Sequence, residues 1–71
     1  MVFIYNPEDE ESEELARHLE GTGIDPSPQF GADYIRHGGE PKLDLGTRMI
    51  TGIVDIVGYI DKQMPGLIPV N

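Results

Sequence analysis

The chain has 71 residues, no cysteine and a net charge of −8, which arises from 13 acidic and 5 basic residues. A chain of this length allows one domain with a small core that buries only about 60 % of its unfolded surface, so we expect marginal stability. The absence of cysteine excludes disulfides, thiolate metal sites and thiol redox chemistry. The acidic balance argues against direct binding to nucleic-acid phosphates.

The sequence contains no pattern typical of a membrane or secreted protein. Its longest apolar run spans only a few residues, and the N-terminus lacks a basic region followed by a hydrophobic segment. These features predict neither a secretion signal nor a membrane span. We therefore expect a soluble protein that works in the cytoplasm, or within a viral particle, without membrane contact.

The chain begins with a predicted strand and a predicted helix. Residues 1–5, MVFIY, form an apolar and β-branched run typical of a central strand covered on both faces. Asn6 suits a helix cap and Pro7 the first helical position, and Asp9 follows three residues after the cap, so a helix should begin here. The apolar face of this helix consists of Leu15, Ala16 and Leu19.

The first helix has two candidate end points. Gly21 and Gly23 can each end it, and Ile24 just beyond them can pack back on it. Residues 24–26 then suit a very short strand.

The middle of the chain allows two interpretations. Ser27 as a cap and Pro28 as the first helical residue predict a second helix that ends before residues 38–39, a glycine pair. Phe30 and Tyr34 would then share a face. Because Gly31 lies inside this segment, residues 30–35 could instead be extended.

A hairpin is predicted next. Pro41 is followed by residues 42–45, in which polar and apolar side chains alternate as in a half-buried strand. Gly46 allows the chain to reverse, and residues 47–50 continue in β-tolerant residue types.

After the hairpin the apolar period changes from two to 3.6 residues, which predicts a helix with a wide buried face. Its stripe consists of Met49, Ile53, Ile56 and Ile60, flanked by Ile50, Val54, Val57 and Met64.

The second half of the chain resembles the glutaredoxins and the N-terminal domains of glutathione transferases. The matching positions, in order, are Pro41, Gly46, Ile50-Thr51-Gly52, Asp55-Ile56, Tyr59-Ile60, and the closing Pro65, Leu67 and Pro69. The resemblance implies an α/β protein with a minimal thioredoxin-like (glutaredoxin-like) fold, in which a small mixed sheet carries two to three helices. It also implies a cis peptide bond before Pro41. The matching apolar patterns predict that residues 2–5 pair beside residues 43–45 in one mixed sheet, with the helix through Ile53 and Ile60 packed on it.

The resemblance also places a possible glutathione site. The equivalent residues are Ser12, Glu40, Pro41, Thr51, Gly52 and Asp55. Ser12 stands where some transferases carry a catalytic serine, although a serine at a helix start is usually a cap or solvated. Tyr5 stands where others carry a tyrosine, although its apolar neighbours favour a core role. Thr51, Gly52 and Asp55 are more simply a helix start and a surface acid.

Six carboxylates occupy seven consecutive positions where glutaredoxins have their reactive cysteines. They belong to Glu8, Asp9, Glu10, Glu11, Glu13 and Glu14. Like charges nearby disfavour another anion such as glutathione. The run has three interpretations: a helix start matched to the helix dipole, a docking surface for a basic partner, and a mimic of nucleic-acid phosphates.

Gly52 and Gly58 suggest a second partner-binding surface. Glycine inside a helix costs about 1 kcal/mol relative to alanine, so two of them indicate either close approach of another backbone or tolerated weakness. Thr51, Asp55, Gly58 and Lys62 lie on the face away from the apolar stripe, which places the approach between molecules.

These observations predict a non-catalytic adaptor or assembly component that binds a protein partner, without cofactor or metal. His18 and His37 lack metal-ligand spacing, so we expect both to be solvated. The alternatives are a glutathione-binding, transferase-like protein and an acidic, nucleic-acid-mimicking inhibitor of a basic partner. Thioredoxin-like folds serve as adaptors in larger machines, including viral ones, which is an analogy of fold.

Overall fold

In the computed structural model, which describes residues 1–68, four strands and three helices form a small mixed α/β structure. Pro69, part of the predicted closing segment, lies outside the described residues. The elements in chain order are β1 (Val2–Tyr5), α1 (Glu10–His18), β2 (Asp25–Pro28), α2 (Gly31–Arg36), β3 (Lys42–Asp44), β4 (Met49–Thr51) and α3 (Ile53–Gln63).

The four strands form one mixed sheet in the order β2-β1-β3-β4. β1 runs parallel to β2 and antiparallel to β3, and β3 pairs antiparallel with β4. Phe3 lies opposite Leu43, which confirms the predicted pairing of the first strand with the hairpin. The predicted central position of β1 is also confirmed.

The core lies on one face of the sheet, against α1 and α3. Phe3 and Tyr5 stack with ring centroids 5.0 Å apart, while the alternate residues Val2 and Ile4 are half-buried. Only one face of β1 is therefore fully covered, not both as predicted. The buried cluster consists of Phe3, Tyr5, Leu15, Ala16, Leu19, Ile24, Leu43, Ile56 and Ile60, which includes the predicted apolar face of α1.

Helix α1 begins later than predicted, at Glu10 with Asp9 as its N-cap residue. The Asn6 side chain accepts a hydrogen bond from the Glu8 amide (2.9 Å), and the Asp9 amide donates to the Asn6 carbonyl (3.0 Å). These bonds close a turn over residues 6–9. Asn6 therefore begins a turn instead of capping the helix, because its side chain bonds locally.

The second helix also begins later than predicted. Pro28 belongs to β2, and α2 begins at Gly31 with Phe30 as its N-cap residue. The amides of Asp25 and Gln29 donate to carbonyls of β1 and its flank, so pairing to β1 stabilises the strand β2. The alternative of an extended conformation over residues 30–35 is wrong, because α2 occupies this segment. Tyr34 is buried whereas Phe30 is exposed, so the two aromatic rings do not share a buried face.

The Glu40–Pro41 peptide bond is trans, like the other described bonds, so the predicted cis bond is wrong. Gly38 and Gly39 reverse the chain before this point with φ values of 96° and 69°. Because the reversal is complete before Pro41, the proline can keep the trans form that is ordinarily favoured by about 0.5–1 kcal/mol.

The apolar stripe of α3 is narrower than predicted. Ile56 and Ile60 are fully buried, but Val54 is 80 % exposed and Met49, which belongs to β4, is 47 % exposed. Gly52 has φ 94° and is the N-cap residue of α3 instead of an interior residue. Helix α3 begins at Ile53, directly after Thr51 and Gly52, as predicted, and Val54 in its first turn faces solvent.

Candidate functional site

The acidic segment, residues 8–14, lies on the surface at the start of α1. Glu8, Asp9, Glu10, Glu11 and Glu14 are exposed, and Glu13 is half-buried. Within the described residues, Glu13 pairs with Arg17 (3.4 Å) and Glu14 with His18 (4.0 Å). Exposed pairs of this kind contribute little, so the segment keeps a strongly negative field.

Ser12 points inward from this segment, so it is neither a cap nor solvated. It is fully buried, with 0 % of its surface accessible, and its hydroxyl donates to the Asp9 carboxylate at 2.7 Å. A buried hydroxyl that is committed to a carboxylate holds the first turn of α1 together. It does not reach a ligand at the surface.

Two buried tyrosines have raised pKa values. Burial raises the pKa of Tyr5, and the carboxylates of Glu13 and Glu20 raise it further. Burial likewise raises the pKa of Tyr34, with added contributions from Asp9 and Glu40. A raised pKa opposes the phenolate, so Tyr5 is poorly suited to activate a thiol or hydroxyl. Its burial confirms the predicted core role.

Pairing of β3 with β4 brings together three residues of the possible glutathione site. The Gly52 amide donates to the Pro41 carbonyl at 2.9 Å, and Lys42 Nζ donates to the Thr51 hydroxyl at 3.4 Å. Glu40 is exposed before the hairpin, and Asp55 lies on the exposed face of α3. Hydrogen bonds within the hairpin thus already engage the Pro41 carbonyl, the Gly52 amide and the Thr51 hydroxyl, while Ser12 is turned into the protein.

A groove runs between α1 and α3, with a volume of about 320 Å³. Apolar side chains of both helices form its floor, and carboxylates and a histidine of α1 form its rim. We refer to it as the α1–α3 groove; its lining consists of Glu11, Glu14, Leu15, His18, Ile53, Val57 and Ile68. It combines a negative rim with apolar surface that a partner could cover.

A second groove, of about 550 Å³, lies beside the edge strand β4 and along the outer face of α3. We refer to it as the β4–α3 groove; its lining consists of Arg48, Ile50, Val54, Asp55, Gly58, Tyr59, Lys62 and Gln63. Arg48 lies over the Tyr59 ring at 5.9 Å from its centroid. A side chain added at Gly58 would meet nothing within 4 Å, so this part of α3 is open.

Residues 1–68 contain no group of three or more histidine, cysteine, aspartate or glutamate side chains arranged to hold a metal ion. His37 is exposed, as predicted, whereas His18 is half-buried on the rim of the α1–α3 groove.

Most of the lining of the α1–α3 groove was not predicted as a binding surface. Leu15, Ile53 and Val57 follow the apolar period of α1 and α3, which predicts core positions. In the folded chain both helices contribute side chains to this groove, and Ile53 and Val57 remain half-buried there. A signal was available in the sequence, since Glu11 and Glu14 lie within one helical turn of Leu15.

No protein-family model, curated protein or solved structure matches this chain. Across the described part of the chain, the helices are all too short or too polar to cross a membrane. The two grooves and the acidic segment are the features of the described residues that bear on function.

Proposed function

We propose that this chain is a non-catalytic protein-binding module with a thioredoxin-like arrangement, and that it binds a basic partner segment carrying apolar side chains. The observation that carries the proposal is the α1–α3 groove, because it places apolar side chains beneath exposed carboxylates. In this proposal the chain acts as an adaptor or assembly component in the cytoplasm or in a viral particle.

The sheet topology supports the thioredoxin-like part of the proposal. A parallel β1-α1-β2 unit is followed by α2, an antiparallel hairpin and a closing helix, with β1 and β3 at the centre. This is the arrangement that the resemblance to glutaredoxins implies. The trans bond before Pro41 departs from it.

The site chemistry supports the non-catalytic part. Ser12 is buried and bonded to Asp9, and burial raises the pKa of Tyr5. The Ser12 hydroxyl is bonded to a carboxylate but is fully buried, so it cannot reach a substrate, and the pKa of Tyr5 is raised, whereas an activated nucleophile needs a lowered pKa. The carboxylates around Ser12 would also repel an anionic substrate such as glutathione.

The groove fits a basic, apolar segment for two reasons. Its volume of about 320 Å³ is small, so it accommodates one or two side chains instead of a large ligand. Ile53 and Val57 are half-buried, so a partner that covers them gains about 25 cal/mol per Å² of apolar surface removed from water, while Leu15 is already buried. Glu11 and Glu14 can meet lysine or arginine side chains from the same segment, and the net charge of −8 accelerates encounter.

The proposal is tested with a short amphipathic peptide of lysine and leucine, whose affinity is measured by calorimetry. The double variant Glu11→Lys/Glu14→Lys reverses the groove rim and should weaken binding by at least about tenfold, since close charge pairs at interfaces are often worth more than 1.4 kcal/mol. The matched control Glu10→Lys/Glu13→Lys makes the same charge change on the same helix, outside the groove lining, and should weaken binding less.

The outcomes separate the candidate functions. Equal losses in both double variants would mean that charge alone drives binding, which would favour the nucleic-acid-mimicking alternative over the groove. A peptide in which glutamate replaces lysine should not bind. If the lysine-leucine peptide does not bind the unmodified chain either, the proposal is wrong.

A further inference from the structure

The two edges of the sheet differ in their ability to pair with another strand. On the β2 edge, the amides of Asp25 and Gln29 donate toward β1 at 2.9 and 2.8 Å. The alternation of a strand then turns Pro26 and Pro28 outward, where neither has an N–H to donate. Prolines at these positions block strand addition, which is how natural sheets protect an edge.

The β4 edge has no such protection. The Leu45 amide donates to the Arg48 carbonyl and the Gly52 amide to the Pro41 carbonyl, each at 2.9 Å. By alternation Ile50 faces β3, while the amides and carbonyls of Met49 and Thr51 point away from it. Among residues 1–68, no neighbouring strand covers this edge, so it offers two donors and two acceptors.

We propose that the β4 edge pairs with the β4 edge of a second copy of this chain, forming a symmetric dimer with a continuous sheet. An antiparallel pair centred on Ile50 sets Met49 of one copy opposite Thr51 of the other, and the reverse. These are the outward-facing residues, so the pair makes four main-chain hydrogen bonds. The two-fold arrangement uses each donor and acceptor of the edge once and closes on itself.

The adjoining α3 helices complete the interface. Helix α3 packs over β3 and β4, and strands lie about 4.8 Å apart, so the two helices would lie about 10 Å apart. This is a normal distance for packed helices. Gly58 lies at their crossing point with open space around it, and Val54, which is 80 % exposed, would become covered.

Charge complementarity selects a second copy as the occupant. Gly58 lies between Asp55 and Lys62 along α3, so two antiparallel helices crossing there place each Asp55 against Lys62 of the other copy. Both residues are exposed and line the β4–α3 groove. Arg48 adds a positive charge, so this groove has a net charge of +1 in a chain whose net charge is −8. Self-association at any more acidic surface would be opposed by repulsion.

The dimer is tested by sedimentation equilibrium of the full chain, with far-UV circular dichroism to verify folding. The unmodified chain should associate reversibly to twice its mass of 7.9 kDa. Thr51→Pro removes an outward donor without removing a bond to β3, and should weaken association by at least about tenfold, whereas Thr51→Val should not. Gly58→Leu has room in the monomer, and it should also weaken association, because the added side chain blocks the helix crossing.

A charge swap provides the decisive comparison. Asp55→Lys and Lys62→Asp should each weaken association by placing like charges together, and the double variant should restore it. If the unmodified chain is still a monomer at about 1 mM, the dimer proposal is wrong, even if another molecule binds the β4–α3 groove. A dimer that is insensitive to Thr51→Pro and Gly58→Leu, or one that the double variant does not restore, would overturn it as well.

Discussion

Replacing Ile56 with alanine should leave a large fraction of the chain unfolded at room temperature. Ile56 is 0 % exposed and packs in the single buried cluster between α3 and the sheet. Removing a buried isoleucine side chain to alanine costs about 2–5 kcal/mol, because transfer free energy is lost and a cavity remains. A chain of this size has roughly 3–5 kcal/mol of stability in total.

The matched control is the same substitution at Ile35. This residue also lies in a helix, but it is 71 % exposed. Ile35→Ala should change the free energy of unfolding by less than about 0.5 kcal/mol. Urea titrations followed by circular dichroism measure both variants, and similar midpoints would show that the buried cluster does not stabilise the fold as described.

Alanine should have opposite effects at Gly52 and Gly58. Gly52 has φ 94° and ψ 140°, a region that residues with a side chain rarely adopt, although a Cβ there would meet nothing within 4 Å. Its replacement should therefore cost about 1–3 kcal/mol from backbone strain alone. The loss would also weaken the start of α3.

Gly58 lies inside α3 with ordinary helical geometry and open space around it. Gly58→Ala should stabilise the monomer by up to about 1 kcal/mol, because alanine loses less conformational entropy in a helix. Both variants are compared in urea at high dilution, where self-association contributes nothing. Stabilisation by Gly52→Ala, or strong destabilisation by Gly58→Ala, would contradict the positions assigned to these glycines.

The elements that the sequence predicted well are those with a strong period. Apolar spacing located β1, the α1 face and the Ile56/Ile60 stripe, and the glycine at position 46 located the hairpin. These signals come from residues that are close in sequence, so they do not depend on how the helices and strands pack together. The distance between helices is not local, and the α1–α3 groove could not be predicted from either helix alone.

The errors arose where a residue type suits two structures. Asn6 and Pro7 suit both a helix start and a turn, and here local hydrogen bonds select the turn. Pro28 suits a first helical position or an edge strand, and pairing with β1 selects the strand. Gly52 is permitted inside a helix but is required just before it by its positive φ. In each case only contacts made in the folded chain decide between the two structures.

The surface position of the residues proposed to bind a partner was predictable in part. The exposure of the acidic segment and of Asp55 and Gly58 follows from composition and helical spacing. The open edge of β4 does not follow from composition or spacing, because it depends on which strand lies at the end of the sheet. In the sequence, prolines at positions 26 and 28 hint at one edge, but nothing in the hairpin marks β4 as the other.

Whether the chain is a protein-binding module or a glutathione-binding protein is best decided by an amide chemical-shift map of the unmodified chain. We expect the lysine-leucine peptide to shift amides of Leu15, Ile53 and Val57 in a saturable way, while reduced glutathione at about 10 mM shifts none. Saturable glutathione shifts at Pro41-flanking residues, Thr51 and Gly52, with no peptide response in the α1–α3 groove, would contradict the account and favour a transferase-like protein.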